Sequence, residues 1–312
     1  MAGRCRMMGL RRSLADYLKT RRALGFKLKR EGALLPDFVT YLEKHGRTFI
    51  TTAAALAWAT QPRGVHPNWW SARLVLVRGF AKYLQTIDSR TEVPPLDHLP
   101  HRRIRSTPYV YAPEDITALL SATDTLSASL KRMTYKTLLG LLAVTGMRMG
   151  EAISLDDVDF DRRGSLLVIR NAKFGKSREV PLHSSTVKAL DRYLHERNRL
   201  VPRRTAPSLF VSVRGSRLIS QNVHETFLEL IYAAGLGDRR PRRPRIHDLR
   251  HTFAISTVLT WYRQDLDVQA RLPLLSTYLG HIGPSSTYWY LTAVPELLEA
   301  ATIRLERSWV KP

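Results

Sequence analysis

Between residues 86 and 107 the helical periodicity of the chain stops. This stretch holds Pro94, Pro95 and Pro100, several charges and little apolar repetition, a composition that reads as an interdomain linker. A chain of 312 residues cut at that point divides into two parts of ordinary domain size. The expected organisation is an N-terminal helical domain over residues 1–88, a linker over 89–111 and a larger domain over 112–312.

The two parts differ in pattern. In the first, residues 13–24, 34–45 and 71–84 carry apolar side chains at spacings of three and four, which predicts helices. Ser13 and either Thr51 or Thr52 are the expected N-caps. The second part opens on Ala112-Pro113-Glu114-Asp115, a helix start with an early proline and acids in the first turn. Helices are predicted over residues 133–144, 149–155, 185–200, 222–234, 247–262, 272–279 and 295–307. Residues 165–170 and 178–182 are β-branched or alternating and flank Lys173-Phe174-Gly175-Lys176, a hairpin signature. The fold class is mainly α with a small antiparallel β-sheet, that is, α+β. No glycine-rich phosphate cradle follows a strand, so no nucleotide cofactor is expected.

Charge narrows the partner. There are 49 Lys and Arg against 27 Asp and Glu, a net of +22. Residues 1–110 carry +13 of it, so this third is the more basic per residue. Such an excess points to a polyanion, because each neutralised phosphate releases condensed counterions. The cluster Arg21, Arg22, Lys27, Lys29 and Arg30 is dense for a merely solvated helix face. The basic residues are spread over the whole chain instead of one amphipathic helix, which disfavours a membrane surface. No apolar run reaches the length of a bilayer span, and the run at 138–144 reads as a buried helix. Cys5 is the only cysteine, which excludes an intramolecular disulfide and fits a reducing, cytoplasmic setting.

Each candidate site residue has an ordinary explanation when read alone. Arg148 suits a surface arginine at a helix start, paired with Glu151. Lys173 suits a solvated turn. His247 and His251 lie one helical turn apart, but no acid or cysteine completes a metal site there. His281 suits a cap after a glycine, and Tyr290, among Tyr288, Trp289 and Leu291, suits a core.

Order and spacing alter that reading. The run TGMRMGEAISL, a lysine between two strands, then HDLRHTFA, then LGH, then Tyr290 resembles the tyrosine recombinase, or phage integrase, family over the region from Ala112 to the C-terminus. The resemblance implies an N-terminal core-binding domain and a catalytic domain that cuts and rejoins DNA through a covalent 3′-phosphotyrosine. It assigns the nucleophile to Tyr290, in preference to Tyr288, and the phosphate clamp to Arg148 and Arg250. It gives His281 a hydrogen bond to the phosphate and His247 general acid–base help near the tyrosine proton. It makes Lys173, with Lys176 as the rival, the acid for the leaving 5′ oxygen. These residue types suit the chemistry: arginine forks bind phosphate oxygens bidentately and tyrosine serves as a covalent nucleophile. A phosphotyrosine conserves the bond energy, so no ATP is expected, and the arginines supply the positive charge, so no metal is expected. The implied partner is double-stranded DNA at specific sites with inverted repeats, engaged by a homotetramer or by related recombinases, with the protein nucleoid-associated. Two competing readings are a type IB topoisomerase and a DNA-binding accessory protein that keeps the fold without the activity.

Three regions depart from the family pattern or extend it. Residues 260–274 lengthen the gap between the HDLRH and LGH elements, which predicts an extended helix or an inserted loop. Arg239-Arg240-Pro241-Arg242-Arg243-Pro244-Arg245 runs into His247, and its prolines exclude a helix; it is expected to track the DNA backbone as an arm. After Tyr290, residues 295–309 read as an amphipathic helix that packs on its own domain or on a neighbouring protomer.

Overall fold

The computed structural model describes residues 9–95, 97–99, 107–170, 177–239, 242–280 and, near the C-terminus, 297, 299 and 302. The chain divides into two compact units, Met1–Arg105 and Ser106–Pro312. No helix among the described residues is long and apolar enough to cross a membrane.

The first unit is helical: α1 (Leu10–Ala23), α2 (Lys29–Lys44), α3 (Thr52–Thr60) and α4 (Pro67–Gln85). Leu35, Phe38, Val39 and Leu42 form one face of α2 and are fully buried with Ile50, Trp58, Val77 and Phe80, the stripe that an amphipathic helix turns to a core. Trp58 donates its indole N–H to Asp37 at 2.9 Å, and the Arg73 guanidinium lies 3.6 Å from its ring centroid. Thr51 caps α3 as expected, accepting from the Ala54 N–H at 3.2 Å. Ser13 does not cap α1. The helix begins a turn earlier, with Gly9 at the cap, and Ser13 is a fully buried residue of its interior. A small side chain there allows close packing, which outweighs the serine's preference for a helix end. Residues 87–95 fold back on this unit: Thr52 N–H donates to Glu92, Glu92 N–H to the Ile50 carbonyl, and Arg78 to the Pro94 carbonyl.

The second unit starts with α5 (Pro113–Ala122), whose Asp115 reaches back to the Ala112 N–H at 3.1 Å. There follow α6 (Ser129–Thr145) and the single turn α7 (Met149–Ala152). A three-stranded antiparallel sheet comes next, in the order β1 (Phe160–Asp161), β2 (Leu166–Ile169), β3 (Arg178–Pro181). Leu167 pairs with Val180 and Ile169 with Arg178. Leu167, Ile169 and Val180 are buried, so the alternation puts Arg178 on the inward face beside Val180. Helices α8 (Ser184–Leu200), α9 (Ser220–Ala233), α10 (Ile246–Arg263) and α11 (Val268–Leu279) complete the unit. The lengthened gap after the HDLRH run is accounted for by extra helix on both sides of a short turn, since α10 runs to Arg263 and α11 starts at Val268. Of the C-terminal segment expected to be amphipathic, Leu297 is buried with Ile255, Val258 and Leu272 of α10 and α11 in the same chain.

Candidate active site

Helices α6 and α11 both end on a left-handed glycine, Gly146 at φ +59° and Gly280 at φ +67°, the backbone that glycine adopts without strain. The last four carbonyls of any helix lack partners inside it and sit at the negative end of its dipole. Here those carbonyls hold arginines. Arg250, on α10 and only 2% exposed, donates to the Gly146 carbonyl at 2.9 Å and to the Leu279 carbonyl at 2.7 Å. Arg148 donates to the Gly280 carbonyl at 3.0 Å, and Arg178 to the Tyr278 carbonyl at 2.8 Å. Three guanidinium groups therefore converge on the turn that ends at residue 280.

One carboxylate lies among them. Glu151 Oε2 accepts from the Arg148 backbone N–H at 2.9 Å, which is half of a capping box for α7. Its Oε1 accepts from Arg148 Nη1 at 2.8 Å, and Arg178 grips both oxygens, at 3.2 Å and 2.7 Å. Burial alone would raise the Glu151 pKa. The hydrogen bonds from Arg178 and the Arg148 backbone, with both positive charges, outweigh burial and bring it to about 2.

His247 opens α10 and keeps solvent access, while its ring stands edge-on to that of His251 with centroids 4.7 Å apart. Desolvation, then the charges of Arg250 and Arg148, pull the His247 pKa down to about 4. Desolvation, then His247 and Arg245, pull His251 to about 3. Water screens part of this effect at His247, but both imidazoles are neutral near pH 7, and His247 is then able to accept a proton. No group of three or more His, Cys, Asp or Glu side chains among the described residues could hold a metal ion.

Asp248, fully buried, accepts from the Arg245 N–H at 2.8 Å and from Arg242 at 2.8 Å. Arg239 pairs with Asp115 at 3.4 Å. The Arg245 side chain also pairs with Asp248, at 3.4 Å, so three arginines of the basic segment ahead of His247 are held by carboxylates of the unit itself.

Of the six site residues expected from the sequence, Arg148, His247 and Arg250 are described and lie around this turn. Lys173, His281 and Tyr290 lie outside the described residues, as do Lys176 and Tyr288. Arg178 went unread in the sequence. The available signal was its inward position in the alternation Arg178, Val180, Leu182, where an apolar residue is the usual occupant.

Comparison with known proteins gives the family. The model of the phage integrase family matches residues 110–296. The putative integrase/recombinase y4rB of Sinorhizobium fredii is 45% identical over 97% of this chain and 99% of its own length. The tyrosine recombinase XerC of a Roseiflexus species is 31% identical over 65% of this chain and 60% of its own. Among solved structures, the Tn1549 transposon integrase bound to transposon right-end DNA superposes with a TM-score of 0.64 at 17% identity, over 95% of this chain and 98% of that one. The XerA recombinase superposes at 0.51 with 22% identity, over 97% and 99%. These two share the fold. The chain belongs to the phage integrase family. Within it, the protein is a tyrosine-type site-specific recombinase.

Proposed function

We propose that this recombinase cuts and rejoins double-stranded DNA at specific sites through a 3′-phosphotyrosine. The observation that carries the reading is the convergence of Arg148 and Arg250 on the carbonyls of residues 279 and 280, immediately before His281. This gathers two cationic groups at one turn, where a phosphate would be held. The phenolic oxygen of Tyr290 attacks phosphorus, the tyrosine–phosphorus bond forms and the bond to the 5′ oxygen breaks. Neutral His247 takes up the phenolic proton, and Lys173 supplies one to the departing 5′ oxygen, which leaves as a hydroxyl. Arg148, Arg250 and His281 stabilise the charge on the non-bridging oxygens. Attack by that hydroxyl on the phosphotyrosine reverses the step.

The cluster Arg21, Arg22, Lys27, Lys29 and Arg30, exposed except for the half-buried Arg21 against Phe26, lies at the corner between α1 and α2. Lys29 and Arg30 occupy the first turn of α2, where the helix dipole disfavours cations, so an anionic partner relieves a cost already present. The natural partner is the DNA backbone. Inverted-repeat sites, a tetramer on paired sites and movement of a mobile element are the matching assembly and context. Tn1549 integrase, a transposon protein of the same fold, supports the last of these.

The test starts from a randomised duplex pool, with strands covalently captured under denaturing conditions and sequenced to define the site. A nicked duplex of that sequence then traps the cleaved state. Adduct that forms with the unaltered chain and with Tyr288→Phe, but is lost in Tyr290→Phe, supports the reading. Adduct in Tyr290→Phe refutes it.

A further inference from the structure

Glu151 is shared between two cations that are not equivalent. Arg178 faces it with a fork, both η nitrogens on both carboxylate oxygens, and its side chain is 12% exposed. Arg148 offers a single η nitrogen at 2.8 Å, with a side chain 30% exposed, and turns its other η nitrogen to the Gly280 carbonyl. One negative charge cannot neutralise two guanidinium groups. We infer that Arg178 is a positioning residue that occupies the charge of Glu151, so that Arg148 is oriented by this carboxylate without being neutralised by it and keeps its positive charge for the phosphate. The inference rests on the clamp role proposed for Arg148.

The surroundings fit a dedicated place for Arg178. Its Nε is tied to the Tyr278 carbonyl, and the strand pairing of Arg178 with Ile169 fixes its backbone. A Cβ on Gly280 would lie 2.8 Å from Arg178 Nη1 and 3.5 Å from Arg148 Nη1. The glycine therefore serves the turn and also leaves room for the inner guanidinium. Without Arg178, Glu151 has only Arg148 to face, and the more exposed cation closes onto it.

A double-mutant cycle on the nicked duplex separates this role from simple packing, reading the rate of adduct formation and, separately, DNA affinity. Arg178→Gln is expected to slow adduct formation about 100-fold, as loss of one preorganised electrostatic group does, with DNA affinity little changed. In a Glu151→Gln background the same replacement is expected to cost less than about threefold, because no carboxylate is left to compete for, and coupled residues depart from additivity in this way. Arg178→Lys, which keeps a cation beside Glu151, is expected to recover at least about tenfold of the rate lost in Arg178→Gln. An equal loss in both backgrounds, or Arg178→Gln cutting at the unaltered rate, overturns the inference. If Arg178→Gln does not fold, the pair Glu151→Gln and Glu151→Gln/Arg178→Gln, together with Arg178→Lys, decides. A further loss on adding Arg178→Gln there, or an Arg178→Lys as slow as Arg148→Ala, overturns it too. Arg148→Ala is the separate control: adduct at the unaltered rate in that variant removes the clamp reading itself.

Discussion

The backbone N–H of Tyr111 donates to Thr252 Oγ1 at 3.0 Å, and that hydroxyl donates in turn to the Asp248 carbonyl one turn earlier in α10. The segment that enters the second unit is thereby fastened to the helix that carries His247 and Arg250. The Tyr111 hydroxyl adds a second tie, donating to the Arg245 carbonyl at 3.2 Å. Thr252→Val keeps the shape but strands the Tyr111 N–H away from water. It should destabilise the chain by about 1–3 kcal/mol, the cost of a buried donor left unpaired, as a lower urea midpoint. A midpoint equal to that of the unaltered chain contradicts the tie.

Two glycines of neighbouring sequence should respond in opposite directions to alanine. At Gly146 the backbone is left-handed, and a Cβ would stand 2.4 Å from the Phe253 ring and 3.2 Å from Leu279. Gly146→Ala should cost about 2 kcal/mol or more from strain and overpacking together. Gly140 lies within α6, and a Cβ there would meet nothing within 4 Å, so Gly140→Ala should gain about 0.5–1 kcal/mol from helix propensity. Thermal melting of both variants checks the contrast.

Acid should destabilise the fold in two stages. His247 and His251 protonate at about 4 and 3 when folded, against 6.5 for an ordinary imidazole, so below pH 6.5 the unfolded chain binds more protons than the folded one. Stability is then level above that pH and falls as pH drops through the window. Glu151 acts lower down: its contribution is complete above the ordinary carboxylate value of 4.5 and is lost as pH falls towards about 2. Urea midpoints between about pH 7.5 and pH 4 should decline, and His251→Gln should flatten the decline. A flat profile for the unaltered chain speaks against neutral imidazoles at these two positions.

The buried carboxylate of Asp248 should matter more than that of Asp115, although both reach back to cap a helix and both hold an arginine of the same basic segment. Asp248 is fully buried and close to Arg242, whereas the Arg239 partner of Asp115 is more than half exposed. Asp248→Ala breaks a buried pair, an effect of about 3–5 kcal/mol. Asp115→Ala should cost about 1–2 kcal/mol, the range for losing a cap and a partly exposed bond. Equal losses in the two variants would show that burial does not separate them.

Much of this was open to reading in the sequence, because the signals were local. The proline-rich break, the Ala112-Pro113 helix start and the alternation on each side of the hairpin depend on neighbours a few residues away. The same holds for the order of the arginine and histidine motifs. Other features depend on distant partners. Arg178 acquires its meaning from Glu151 and from the Tyr278 carbonyl, neither of which its own strand reveals. Ser13 looks like a cap until the packing of the first unit shows it buried inside α1. The strand β1, two residues long, is too short to display a period. The predicted helix over 149–155 is only the single turn Met149–Ala152, because a reach-back carboxylate starts α7 and no apolar period sustains it.

The arginines around the turn at residue 280 are aimed largely by main-chain oxygens of Gly146, Tyr278, Leu279 and Gly280. No point mutation deletes a carbonyl. Side chains around the turn are therefore free to drift over evolutionary time while the guanidinium groups stay aimed. Beyond the arginines themselves, this geometry asks for particular side chains at few positions: the two glycines that shape the helix ends and the glutamate shared by two of the arginines. Relatives that have diverged almost everywhere else can keep the same cationic pocket, with its geometry inherited through the path of the chain.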